Sequence, residues 1–300
     1  MNQRPRDNTR DNRLIWDRFR HHSRTFSLAA HFLPRKIRMP VATLYMFCRT
    51  VDEIADRLVL EVGPAEALLR LQEVETALDS TLLLQPPAEM LWKRLAAIHK
   101  EYGLAEAPMR ELISGARWDL EGRPVNDVSD LVEYSDLVGG SIGAMMLPLL
   151  GEGRTIEADK QARDLGIGMQ ITNIIRDVGE DLKGLSRSYI PTTLAEQYGV
   201  DPSSPSAASH AYQQLMEHLM SMAEAYFESG LAGIASLPPA MRSGIRAATR
   251  FYRQILNEVR HNRYDNISMR AYVPGRRKFW CLISDDYDRR KARLLGEMAE

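Results

Sequence analysis

Apolar residues recur at helical intervals of three and four along most of the chain, from Leu14 to Leu295, with almost no strict apolar/polar alternation. This pattern predicts helices over residues 14–26, 65–80, 88–102, 108–121, 128–150, 211–229 and 239–260, besides two that carry the polar motifs below. Gly103 stands where a left-handed residue closes a helix, and Pro64 and Pro108 stand at helix starts. Pro34 and Pro40 are expected to bracket a short connection, and DPSSPSAASH (201–210) reads as a turn-rich linker between helices. Helical periods joined by short Gly/Pro connections predict an all-α fold, one domain over residues 14–300 around a central cavity. Residues 1–13 are polar, lack the apolar core of a signal peptide, and are expected to be a mobile terminus.

Residues 128–150, VSDLVEYSDLVGGSIGAMMLPLL, are the most apolar stretch. Gly139, Gly140, Ser141, Gly143 and Ala144 leave one side of that helix nearly bare. A bare side admits close packing of another helix or a long apolar ligand, and from the residues alone packing is the commoner use. The stripe Phe251, Ile255, Leu256 and Val259 is core by default.

Two polar motifs break this apolar background. The first, QITNIIRDVGED (170–181), places Asn173, Asp177 and Asp181 every four residues. Each step advances about 40° around a helix, so the three oxygen-bearing side chains form one row. Such a row repels itself. It is either a solvated face or a ridge offset by a hard cation that takes oxygen ligands, such as Mg²⁺.

The second motif, YMFCRTVDEIADR (45–57), shifts that balance. Asp52 and Asp56 are again four apart, Arg49 shares their face, and Glu53 lies off it. The rest of the helix is mostly apolar, and buried acids are expensive unless paired or metal-bound. Two ridges with same-face arginines, Arg49 and Arg176, could face one another across a cavity, holding several Mg²⁺ ions and a diphosphate.

FCRTVDEIAD and NIIRDVGED resemble the two aspartate-rich signatures of the squalene/phytoene synthase family of head-to-head prenyltransferases. A third stretch, YRQILNEVRHNRYDNISMRAYVPGRRK (252–278), is similar to the family's C-terminal segment, most of all in its phytoene synthase branch. The likeness runs from about His22 to Lys278. It implies the isoprenoid synthase fold with a central prenyl-diphosphate cavity. It implies the joining of two C20 geranylgeranyl diphosphates to phytoene through a cyclopropyl diphosphate, the first committed step of carotenoid synthesis. Metal ligation is implied for Asp52, Asp56, Asn173, Asp177 and Asp181, with Mg²⁺ as the ion and Mn²⁺ as a substitute. The four aspartates are implied to be catalytic with Tyr134 and Tyr252. Substrate contacts are implied for His22, Arg24, Thr25, Phe26, Tyr45, Arg49, Gln170, Asn173, Arg176 and Arg270. The bare side of residues 139–144 would then line the prenyl channel. The stretch after Asp181, LKGLSRSYIP, is expected to cap the site, and has one more residue before Tyr189 than the family pattern. No NADPH is expected if phytoene is the product.

Composition narrows the alternatives. At 44% hydrophobic the chain can build a core, and its net charge of −1 gives no electrostatic case for nucleic acid. No window of about 18 uninterrupted apolar residues occurs, so no bilayer span is expected. Two cysteines, Cys48 and Cys281, fit reduced cytoplasmic thiols, with Cys48 read as core. Arg276, Arg277 and Lys278 are either a solvated surface or a contact with anionic headgroups at the inner membrane face, which would help product release. His21 and His22 lack a second zinc-ligand cluster, and Glu217–His218 lacks the spacing of a di-iron bundle. Two readings compete with phytoene synthesis: C15 donors, giving squalene or dehydrosqualene, and a non-catalytic scaffold, whose mark would be loss of the acids.

Overall fold

The computed structural model describes residues 5–151, 155–275 and 277, with side chains from residue 10 onward except Arg24 and Ile156. In chain order the α-helices are α1 (Pro5–His22), α2 (Arg24–Ala30), α3 (Arg35–Glu53), α4 (Val59–Val62), α5 (Pro64–Leu82), α6 (Met90–Tyr102) and α7 (Glu106–Leu120). They continue with α8 (Val128–Ser135), α9 (Ser141–Leu150), α10 (Ile156–Gly184), α11 (Thr192–Gln197), α12 (His210–Ala232) and α13 (Pro239–His261). No strand occurs among the described residues, as the periodicity requires.

The longest helix, α10, organises the rest. Thr155 starts it by accepting the Ala158 amide on its hydroxyl at 3.0 Å, and Glu157 and Asp159 complement the positive end of its dipole. Ile171, Ile174, Ile175 and Val178 are buried against α12 and its neighbours, while Asn173, Asp177 and Asp181 take another azimuth. A first apolar cluster joins α1, α3, α5, α6 and α7, and a second joins α10 to α13. Phe26 and Val138 pack against both.

Four departures from the sequence pattern have physical reasons. First, α1 begins at Pro5, so the polar segment expected to be a mobile terminus is helical from there. Second, Pro40 lies inside α3 rather than at the end of a connection, in the second turn, where it removes one backbone bond without ending the helix. Third, α3 and α4 are joined through a π-helical turn, Ile54–Leu58, and α8 and α9 through another, Asp136–Gly140. In each the closing amide reaches five residues back, Val59 to Ile54 and Ser141 to Asp136. Such turns are rare and often sit at functional sites; Asp56 lies in the first and Gly139 in the second.

Fourth, the glycines of the second turn and of the first turn of α9 serve helix packing as well as the cavity. A Cβ on Gly139 would come within 2.3 Å of Gly166 O, and one on Gly143 within 2.0 Å of Ala162 O. Backbone therefore touches backbone at both points, and both glycines also line the cavity.

Candidate active site

A cavity of about 800 Å³ runs between the two apolar clusters. Its lining on α10 extends from Ala158 to Asp181, which at the helical rise is roughly 35 Å. That slightly exceeds the hydrocarbon thickness of a bilayer, about 30 Å, so the space suits long chains. One end is polar and the other is walled by residues such as Leu33, Leu147, Leu150, Ile234 and Leu237.

The two motif helices supply the polar end. Arg49, Asp52 and Asp56 line it from α3 and its π turn, and Gln170, Asn173, Arg176, Asp177 and Asp181 line it from α10. His22, Thr25 and Phe26 join from α1 and α2, Tyr45 from α3, Tyr134 from α8, Tyr252 from α13, and Arg270 from the stretch after α13. The side chain of Arg24 lies outside the described residues. The structure thus brings every other sequence-predicted site residue to one cavity.

The carboxylates are crowded. Burial pushes Asp52 up to about 7, with Asp56 adding to the shift and Arg49 opposing it. Burial likewise pushes Asp181 up to about 7, with Asp177, Asp56 and Asp119 adding in turn. Asp56 is raised by burial against the pull of Arg187 and Arg49. Since Asp56 acts on Asp181, the two ridges feel one another across the cavity.

Arginines answer part of this charge. Arg176 Nε and Nη2 donate to the two Asp177 oxygens at 2.7 and 2.5 Å. Arg270 Nε lies 2.9 Å from Asp177 Oδ1, and its Nη1 lies 3.2 Å from Glu180. Arg49 turns to Glu53, 3.1 Å away and one helical turn along, rather than to Asp52. His22 Nδ1 lies 4.0 Å from the same Glu53.

The aromatic side chains form two groups. The Phe26 ring lies 5.2 Å from Tyr252 and 6.3 Å from Tyr45. Burial raises both phenols, and at Tyr252 the Arg176 charge and a hydrogen bond from Asn173 oppose it. Opposite, Tyr134 stacks on Tyr189 at 4.7 Å, and each donates its hydroxyl to one oxygen of Asp119, at 2.9 and 2.8 Å. Asp119 is pushed up to about 6 by burial, with Arg187 and the two hydroxyls opposing.

Asp119, Arg187 and Tyr189 are cavity or cavity-edge residues that sequence reasoning did not single out. A signal existed for Asp119, because Leu112, Ala116 and Asp119 share one helix face and all line the cavity. Tyr189 and Arg187 come from the stretch after α10, which reaches the cavity as expected of a cap. Cys48 also lines the cavity, its thiol pushed up by burial, while Cys281 lies outside the described residues.

The donor set fits a hard divalent cation. All five candidate ligands offer oxygen, the carboxylates repel one another, and Asn173 Oδ1 is buried without a hydrogen-bond donor. Among the described residues no three His, Cys, Asp or Glu side chains gather into a self-sufficient metal cage. An ion here would draw further ligands from water or phosphate oxygens, as Mg²⁺ commonly does.

Comparisons with known proteins point the same way. The family model described as squalene/phytoene synthase matches residues 19–277. The phytoene synthase of Rhodobacter capsulatus is 33% identical over 265 residues, covering 87% of this chain and 77% of its own. The 15-cis-phytoene synthase of a Paracoccus species is 30% identical over 277 residues, covering 91% and 90%. Among solved structures, a dehydrosqualene synthase in complex with ligand superposes with a TM-score of 0.85 at 28% identity, covering 95% of this chain and 99% of that one.

Proposed function

The chain belongs to the squalene/phytoene synthase family, and from that premise we infer that it condenses two geranylgeranyl diphosphates head to head into phytoene. It is a prenyltransferase of the 15-cis-phytoene synthase type, and its product opens carotenoid synthesis. One observation carries the reading at the level of residues: two acidic ridges and their arginines close one end of a long cavity whose other end is apolar.

Each substrate has the same two parts, an anionic head and a greasy tail, and the cavity is divided in the same way. Arg49, Arg176 and Arg270 would bind diphosphate oxygens through planar forks of donors. Asp52, Asp56, Asn173, Asp177 and Asp181 would hold Mg²⁺, which supplies Lewis-acid stabilisation of the leaving diphosphate. The apolar walls keep water from the allylic cation left behind. Tyr45, Phe26 and Tyr252 turn aromatic rings toward one side of that space and Tyr134 with Tyr189 toward the other, where π faces favour positive charge. Attack of the second substrate's double bond on that cation, with loss of a proton, gives the cyclopropyl diphosphate; departure of the remaining diphosphate, rearrangement and a second proton loss give phytoene.

No helix among the described residues is long and apolar enough to cross a membrane. Peripheral contact at the inner membrane face would serve a product this apolar. Of the basic patch, Arg277 is paired with Glu258 at 2.5 Å, and Arg276 and Lys278 lie outside the described residues.

Incubation of the purified protein with C15 or C20 diphosphate and Mg²⁺, with and without NADPH, tests the reading. Phytoene from the C20 substrate without NADPH supports it. A C30 product from the C15 substrate would move the chain to the squalene or dehydrosqualene branch.

A further inference from the structure

The stretch after α13 makes a sharp reversal. Arg263 and Tyr264 both take left-handed backbone conformations, at φ 56° and 63°, a strained choice for two consecutive residues that are not glycine. Two residues later Asn266 is 2% exposed. Its amide N–H donates to Tyr264 O at 2.9 Å, its C=O accepts from the Gly179 amide at 3.0 Å, its Oδ1 accepts from the Tyr212 hydroxyl at 2.6 Å, and its Nδ2 donates to Ile175 O at 2.5 Å. One buried amide residue is thus engaged at every polar group.

The partners on α10 are specific. Ile175 O and the Gly179 N–H belong to residues one turn apart, and between them stand Arg176 and Asp177, both facing the cavity. Asn266 grips that turn from behind. Gly179 lets the backbone come so close, since a Cβ there would lie 2.0 Å from Ile267 O. Lys183 Nζ donates to the same Ile267 carbonyl at 2.9 Å. Four residues beyond Asn266, Arg270 reaches round the helix to Asp177 and Glu180.

A segment that only filled core would bury its large side chains. Here Met269 and Tyr272 are half exposed or more, and the smaller Ala271 and Val273 are buried. What the buried Asn266 fixes is register, meaning which turn of α10 lies behind Arg270.

We propose that Asn266 is a positioning residue for the diphosphate end of the cavity, locking the α10 turn that carries Asp177 and setting Arg270 against it. The proposal rests on the prenyl diphosphate reading above and adds the element that presents the phosphate-binding arginine.

The test uses the full chain with inorganic pyrophosphate and Mg²⁺ in a calorimeter, alongside KM and kcat for geranylgeranyl diphosphate and the melting temperature. Asn266→Ala removes the side-chain grip. Gly179→Ala keeps every donor and acceptor of Asn266, favours the helix, and displaces the segment behind it, since its Cβ meets Ile267 O. Leu219→Ala, a core truncation on α12, controls for lost stability alone. Both position variants are expected to weaken pyrophosphate about tenfold and to raise KM more than they lower kcat, as loss of a charge-assisted phosphate contact would. In an Arg270→Ala background the added effect should shrink to about twofold or less, because the two residues act as one unit.

Three results would overturn the proposal: unchanged pyrophosphate affinity in Gly179→Ala, a weakening matched by Leu219→Ala, or independent effects of Asn266 and Arg270. A parent protein that forms no C40 product and binds no pyrophosphate would instead sink the functional reading itself, and this proposal with it.

Discussion

Arg187 and Asp56 meet at the edge of the cavity, the guanidinium Nη1 lying 3.5 Å from the carboxylate although 131 residues separate them. The same guanidinium donates to Ala55 O, inside the π turn, at 3.0 Å, and to Asp119 O at 3.3 Å. Arg187 therefore ties the first acidic ridge to the Asp119–Tyr134–Tyr189 group. Replacing it with Gln leaves the Asp56 and Asp119 carboxylates without their principal opposing charge. Arg187→Gln is expected to lose about 1–3 kcal/mol of stability at neutral pH. In compensation it should bind Mn²⁺ more tightly without substrate, because a competing cation is gone. Denaturant melts and Mn²⁺ titration by electron paramagnetic resonance check the two halves.

The ridges themselves give the sharpest functional prediction. Asp52→Ala and Asp177→Ala should each lower phytoene formation by roughly 10²–10³ or more, the scale seen when a fixed transition-state stabiliser is removed. The helices should persist in circular dichroism. Asp52 already bears like-charge repulsion from Asp56, so losing its carboxylate relieves strain on the fold. Turnover near the parent's in either purified variant would contradict the ligand assignment.

The crowding also sets a pH dependence. Asp52 and Asp181 sit at about 7 in the folded protein, against about 3.9 for an unfolded aspartate. Between about pH 4 and pH 7 the folded, metal-free protein binds more protons than the unfolded chain, so these groups make stability fall as pH rises. Their contribution is fully present below about pH 4 and lost above about 7. The melting temperature of the metal-free parent, less that of Asp52→Asn, should therefore fall from pH 4 to pH 7 and then level off. A difference that rises over that window reverses the assigned sign.

What could be read from the sequence followed from repetition. Asp52, Asp56, Asn173, Asp177 and Asp181 stand out because oxygen-bearing polar side chains at four-residue spacing contradict their apolar surroundings, and contradiction is visible in one dimension. The π turns left no such trace: shifting one hydrogen bond from four residues back to five changes no residue type. Arg187 sits in a stretch without period, so nothing marked it. Asn266 lies within the C-terminal stretch 252–278, yet its partner Ile175 is 91 residues away and is bonded through a backbone carbonyl, which carries no side-chain signature. The glycines at 139 and 143 were legible as a bare face, but whether a helix or a tail would fill it depends on where α10 runs, and both do.

Chain-length selection should be governed at the apolar end, far from the charges. Ala162 lines the cavity on α10 fifteen residues before Asp177, a distance of roughly 22 Å along the helix. Ala162→Phe inserts a ring there and touches none of the diphosphate groups. Any overpacking is expected to be modest, about 1–3 kcal/mol. If substrate tails run from the acidic ridges toward α9 and the end of α12, this plug shortens the usable space and leaves ionisation intact. Turnover of C20 diphosphate should then fall at least tenfold relative to C15 diphosphate, a shift of about 1.4 kcal/mol in transition-state binding. Pyrophosphate affinity should stay at the parent value. Competition between the two substrates in one reaction, read by product mass, measures the ratio directly. An unchanged ratio would mean that the tails take another route through the cavity, along α3 and α7 rather than α10.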